Sequence, residues 1–109
     1  MKVMLSPEDR LVVAKLKNRL AGVVPLLELR VFGSRARGDA DPYSDLDVFV
    51  KLEICTPETR QMIHDIAWEV GFEMDRIITT VVATPDQLDY GPLGASPLIL
   101  QIEEEGVLV

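Results

Sequence analysis

Cysteine occurs once, at Cys55, and histidine once, at His64, in a chain of 109 residues. A lone thiol has no partner within the chain, which excludes a disulfide framework and fits a reducing, cytoplasmic compartment. One imidazole, with no second His or Cys nearby in sequence, gives no basis for a nitrogen-sulfur metal site, so His64 reads as a surface residue. No apolar run approaches the roughly 18 residues that a membrane span needs, and Met1 to Arg10 lack the apolar core of a signal peptide. Basic residues are also scarce: 11 Lys and Arg against 18 Asp and Glu leave a formal net charge of -7. Nucleic-acid affinity rests on Lys and Arg displacing counterions from phosphates, so an acidic chain disfavours a nucleic-acid partner. Internal repeats, linkers and low-complexity segments are absent as well. The expectation is one soluble domain over residues 1–109 with one core.

What is present is a regular set of helix starts. Ser or Thr precedes Pro four times, at Ser6-Pro7, Thr56-Pro57, Thr84-Pro85 and Ser96-Pro97. The hydroxyl can accept from an orphan N–H of the first turn, and Pro at the first helical position gives up no hydrogen bond. Glu8 and Asp9, Glu58 and Asp86 then place negative charge where the helix dipole favours it. Val12, Val13, Leu16 and Leu20 recur at helical spacing up to a stop at Gly22. Met62, Ile63, Ile66, Ala67 and Val70 form the stripe of a middle helix that Gly71 is expected to end. Trp68 falls off that stripe, so it either anchors a partner surface or is covered by a neighbouring element.

Extended stretches rich in β-branched residues are expected over Leu27 to Phe32, Leu46 to Val50 and Arg76 to Val82. Gly91, Pro92 and Gly94 mark a loop before a last helix from Ser96 to Glu105, stopped by Gly106. Helix, strand, turn, strand, helix, strand and helix in this order make an α/β (α+β) domain.

The stretch from Val31 to Val50 carries the chemistry. A strand runs into Gly33-Ser34, a short polar connection follows, and a second strand bears Asp45 and Asp47. Strand alternation places Asp45, Asp47 and Phe49 on one face and Leu46, Val48 and Val50 on the other. Two carboxylates so placed can share hard cations, of which Mg²⁺ is the natural candidate. Gly33 lets the backbone approach a ligand, and Ser34 would open a short helix whose N–H groups favour a phosphate. Against this stand a plain turn for Gly-Ser and a solvated face for Asp-x-Asp.

Gly33-Ser34-Arg35-Ala36-Arg37-Gly38, followed by Ser44-Asp45-Leu46-Asp47 between apolar flanks, resembles the signature of the DNA polymerase β nucleotidyltransferase superfamily, and especially its minimal members. The resemblance is sharpest over Phe32 to Val50 and implies a small mixed sheet flanked by helices. It implies that Gly33 and Ser34 hold a nucleoside triphosphate, ATP above all, and that Asp45 and Asp47 bind Mg²⁺ or Mn²⁺. Arg35 and Arg37 would add charge at the phosphates, or else balance Asp39 and Asp41 in a solvated turn. Many minimal members act as antitoxins beside a HEPN-type toxin, and some transfer AMP onto a tyrosine of it.

The third acid that the family carries on a later strand is not evident. The strand here reads Asp75-Arg76-Ile77-Ile78-Thr79-Thr80-Val81-Val82, with Asp75 at its edge. Two functions therefore stand: transfer of a nucleotide to a hydroxyl of a partner protein, and a degenerate nucleotide-binding or toxin-neutralising module. A small-molecule acceptor would need a further subunit to complete a pocket, which self-association could supply.

Overall fold

The computed structural model describes residues 5–38 and 45–109. All four Ser/Thr-Pro pairs begin helices: α1 (Pro7–Ala21), α3 (Pro57–Glu73), α4 (Pro85–Tyr90) and α5 (Pro97–Glu105). In each, the preceding hydroxyl accepts from the backbone N–H three residues on, at Asp9, Thr59, Gln87 and Ile99. At Thr84 the Gln87 side chain also accepts from the Thr84 N–H, completing a capping box. Between them lie β1 (Leu26–Phe32), the single turn α2 (Ser34–Arg37), β2 (Leu46–Leu52), β3 (Ile78–Ala83), a 3₁₀ turn (Pro92–Ala95) and β4 (Val107–Leu108).

The strands form one mixed sheet in the order β3-β2-β1-β4. β1 runs antiparallel to β2 and β4, while β2 and β3 are parallel and joined through α3. Every strand shows two different faces to the rest of the fold. On the first face Leu29 and Val31 of β1, Leu46, Val48, Val50 and Leu52 of β2 and Val82 of β3 pack against Val12, Val13, Leu16 and Leu20 of α1 and Ile63, Ala67 and Val70 of α3. The second face carries a smaller cluster, in which Phe32, Phe49 and Ala83 meet Ile99 and Ile102 of α5. Among the described residues no helix is long and apolar enough to cross a membrane.

Strand ends shift by one or two residues from those the sequence predicts, β1 beginning at Leu26 and β2 continuing to Leu52, and two further boundaries differ for a physical reason. Gly71 does not end the middle helix, which continues to Glu73. Gly71 is buried, and the Arg76 carbonyl lies 2.5 Å from where a Cβ on it would sit, so the glycine is there for close backbone approach. The third strand begins at Ile78 rather than Arg76, because the chain first turns at Asp75, which adopts a left-handed φ of 56°. Met62, placed on the buried stripe by periodicity, is exposed.

Candidate active site

The site is built on the second face, where the smaller cluster leaves the starts of β2 and β3 uncovered beside the turn that follows β1. Asp47 lies opposite Phe32 on β1 and in register with Thr79 on β3. Its neighbour two residues on, Phe49, is buried in the small cluster, so the alternation that drives Phe49 inward puts Asp47 on the same face. Leu46 and Val48, on either side of Asp47 in sequence, are fully buried on the opposite face. Asp45 stands exposed immediately before β2, and the Leu46 N–H donates to the Ile77 carbonyl at 2.9 Å to start the parallel pairing.

The Asp47 carboxylate is held from two sides. The Thr79 hydroxyl donates to its Oδ1. Its Oδ2 occupies the space that a side chain on Gly33 would require, and Gly33 has φ 77°, a conformation that L side chains rarely adopt. Gly33 is therefore required twice over, by conformation and by space. Ser34 to Arg37 then complete one helical turn, with the Arg37 N–H on the Gly33 carbonyl at 3.1 Å and the Gly38 N–H on the Ser34 carbonyl at 3.0 Å.

The two arginines diverge. Arg35 is turned toward α1, with Nη1 3.6 Å from Oδ1 of Asp9, a carboxylate only 2 % exposed. Arg76 pairs with the same oxygen. Arg37 is exposed and donates from Nη1 to Oε2 of Glu105 at 3.2 Å, across the edge of α5. The acids Asp39 and Asp41, offered as its alternative partners, lie outside the described residues, as does Ser44 of the motif.

Asp75 is not brought to the pair. It is exposed in the turn that closes α3, before β3 begins, at a left-handed φ of 56°. Among the described residues no three His, Cys, Asp or Glu side chains are placed to hold one metal ion. The position facing Asp47 on the neighbouring strand belongs to Thr79, a donor where an acid would be a second acceptor. Sequence reading left Thr79 and Thr80 undivided, and only the register chooses between them. It also missed Asp9 altogether, since a first-turn acid is already accounted for by the helix dipole.

His64 is exposed, on a groove of about 740 Å³ between α3 and β3 that Cys55, Arg60, Gln61 and Thr80 also line. Among the described residues no neighbouring element covers Trp68. It is 66 % exposed and stacks on Phe72, itself 76 % exposed, with ring centroids 5.6 Å apart.

The sequence matches the profile of the nucleotidyltransferase domain family over residues 13–108. No protein of curated function matches it. Among solved structures, it is similar to a toxin-antitoxin crystallised with AMP-PNP, at 19 % identity and a TM-score of 0.62 over 94 % of this chain and 72 % of that one. A minimal nucleotidyltransferase is similar at 23 % identity and a TM-score of 0.58, over 93 % of this chain and 88 % of that one. The structure of a tri-AMPylated Shewanella oneidensis HEPN toxin in complex with MNT antitoxin is similar at 15 % identity and a TM-score of 0.53, over 93 % of this chain and 67 % of that one. At these identities the likeness establishes the fold, while the profile match spans nearly the whole chain. The chain belongs to the nucleotidyltransferase domain family, on the small mixed sheet shared with minimal nucleotidyltransferases.

Proposed function

We propose that this protein transfers AMP from ATP to a hydroxyl of a partner protein, and that the partner is of the HEPN type. The observation that carries the reading is the seat of Asp47, whose carboxylate is fixed between Gly33 and the Thr79 hydroxyl beside the turn that opens at Ser34. Gly33 and Ser34 take the triphosphate, Arg37 adds charge at the edge of the site, and Asp45 and Asp47 hold Mg²⁺ or Mn²⁺. Two carboxylates are hard oxygen donors and suit either ion. The bound ion supplies charge neutralisation at phosphorus and a lower pKa at the acceptor hydroxyl.

In the transfer the acceptor oxygen bonds to the α-phosphorus and the bond to the bridging oxygen breaks. Pyrophosphate leaves, and the hydroxyl proton passes to a carboxylate of the pair. The toxin-antitoxin structures of the same fold support the partner, and one of them holds an AMPylated HEPN toxin. The single cysteine accords with a reducing, cytoplasmic compartment for the reaction.

Thr79 favours a second reading. A hydroxyl where an acid would face Asp47 leaves one fewer charge to activate an acceptor, as expected of a module that binds nucleotide or covers a toxin without catalysis. Incubation with ATP, Mg²⁺ and a HEPN-type partner separates the two. Gain of one AMP on the partner by intact mass spectrometry supports transfer, and an unchanged mass at saturating ATP leaves the binding module.

A further inference from the structure

Asp9 is the one buried charged side chain among the described residues, and its position is unexpected for a first-turn acid. A carboxylate at the start of α1 could interact with the helix dipole from the surface, as Glu8 does. Instead it is 2 % exposed and faces two guanidinium groups, Arg76 paired directly and Arg35 at 3.6 Å, with side chains 14 % and 13 % exposed. The other ion pairs of α1 differ: Lys15 with Glu73 and Arg19 with Glu69 lie in the open seam between α1 and α3. Buried charges lose hydration, so a buried ion pair is weak evidence that its role is stability alone.

The three residues come from three separate parts of the chain, and two of those parts build the site. Arg35 follows Ser34 in the turn that begins at Gly33. Arg76 stands two residues before β3, and its backbone N–H donates to the Gly71 carbonyl at 2.7 Å, which anchors it to the end of α3. Three residues beyond Arg76, Thr79 holds Asp47. One carboxylate thus ties the Gly33–Arg37 turn to the start of the strand that orients the acidic residue.

We infer that Asp9 is a positioning residue for the nucleotide site. It acts through Arg35 and Arg76, setting the spacing between the phosphate turn and the Asp47-Thr79 pair, and it engages Arg35 so that this residue contributes by placing the turn. The inference deepens the nucleotide-binding reading and rests on it.

The test is Asp9→Asn, which keeps the shape and removes the charge, beside Glu69→Gln as a surface ion-pair control. Calorimetry of ATP with Mg²⁺, below the unfolding temperature of each variant, should show about tenfold weaker binding for Asp9→Asn and no change for the control. Hydrogen exchange, read without nucleotide, should show the amides of residues 35–38 opening faster in Asp9→Asn while those of α3 keep their protection. If Asp9→Asn does not fold, Arg76→Lys shortens one arm of the contact and should give the same pattern at smaller size. Affinity within twofold of wild type together with unchanged exchange at 35–38 overturns the inference. Faster exchange at 35–38 in a protein that binds no ATP even as wild type would leave Asp9 as the clamp of the turn and defeat the nucleotide reading instead.

Discussion

The two faces of the sheet are built by the same strands and do different work. On the first, two long helices cover all four inward-facing residues of β2, and Leu16, Leu20, Leu29 and Ile63 are wholly buried. On the second, the nine-residue α5 covers Phe32, Phe49 and Ala83, with Val81 packed partly buried beside them, and the starts of β2 and β3 carry Asp47 and Thr79. Full burial leaves no room for a ligand. Partial cover leaves Asp47 and Thr79 reachable while Phe49 still anchors their strand, so stability is drawn mainly from one face and chemistry is placed on the other.

Truncation gives the widest separation between the faces. Leu16→Ala removes a fully buried side chain from the larger core and should cost about 3–5 kcal/mol, whereas Ile99→Ala in the smaller cluster should cost about 2–3 kcal/mol because a short helix can settle into the gap. Urea unfolding of both variants checks the order, and equal losses would mean that the two cores act as one.

Next in size is Gly33→Ala. The added Cβ meets a strained φ and the Asp47 carboxylate together, so a loss of about 2–3 kcal/mol is expected. A loss below about 0.5 kcal/mol would show that Asp47 moves aside without penalty.

Asp47→Asn should act in the opposite sense from the core variants. Its melting temperature should stay within about 3 °C of wild type, while the gain in ATP affinity that Mg²⁺ brings falls at least tenfold, about 1.4 kcal/mol. Calorimetry in Mg²⁺ and in chelator measures both arms, and an intact metal dependence would remove Asp47 from the metal site.

The smallest effect belongs to Glu28, whose carboxyl is held below its ordinary pKa chiefly by its hydrogen bond from Arg30, 2.9 Å away. A carboxyl with a depressed folded-state pKa stabilises the fold above its unfolded value, and that contribution is lost as pH falls through the folded value. Glu28→Gln should therefore be less stable than wild type by at most about 1 kcal/mol near neutrality, the pair being partly exposed, with the gap closing in acid. A gap that widens in acid would reverse the sign of the argument.

Much of this was legible in the sequence where one residue type has one physical use. Ser or Thr before Pro is such a case, and all four pairs start helices. Asp47 between buried alternates is another, since Leu46 and Val48 could only face the core, whereas Asp45 falls just before the strand. Legibility failed where a residue has two uses. Gly71 reads as a stop, but a glycine also admits a close backbone, and the Arg76 carbonyl decides which. Asp9 reads as a dipole partner, and its burial depends on arginines far away in sequence. Thr79 gains its role from a parallel register that no local pattern encodes. β4 has two residues, too few for any periodicity.

That short strand also has a bearing on time. Its pairing of Arg30 with Leu108 and Val31 with Val107 closes the chain from β1 onward into one long loop, and the Val109 N–H adds a last bond to the Leu29 carbonyl. Contacts so far apart in sequence form late, because chain entropy must be lost before they contribute. β1, β2 and β3 need no such closure, so the strands that carry Asp47 and Thr79 can find their register before β4 docks. A two-residue strand with one neighbour should likewise be the first part of the sheet to open, and its opening leaves the register of β2 on β3 untouched.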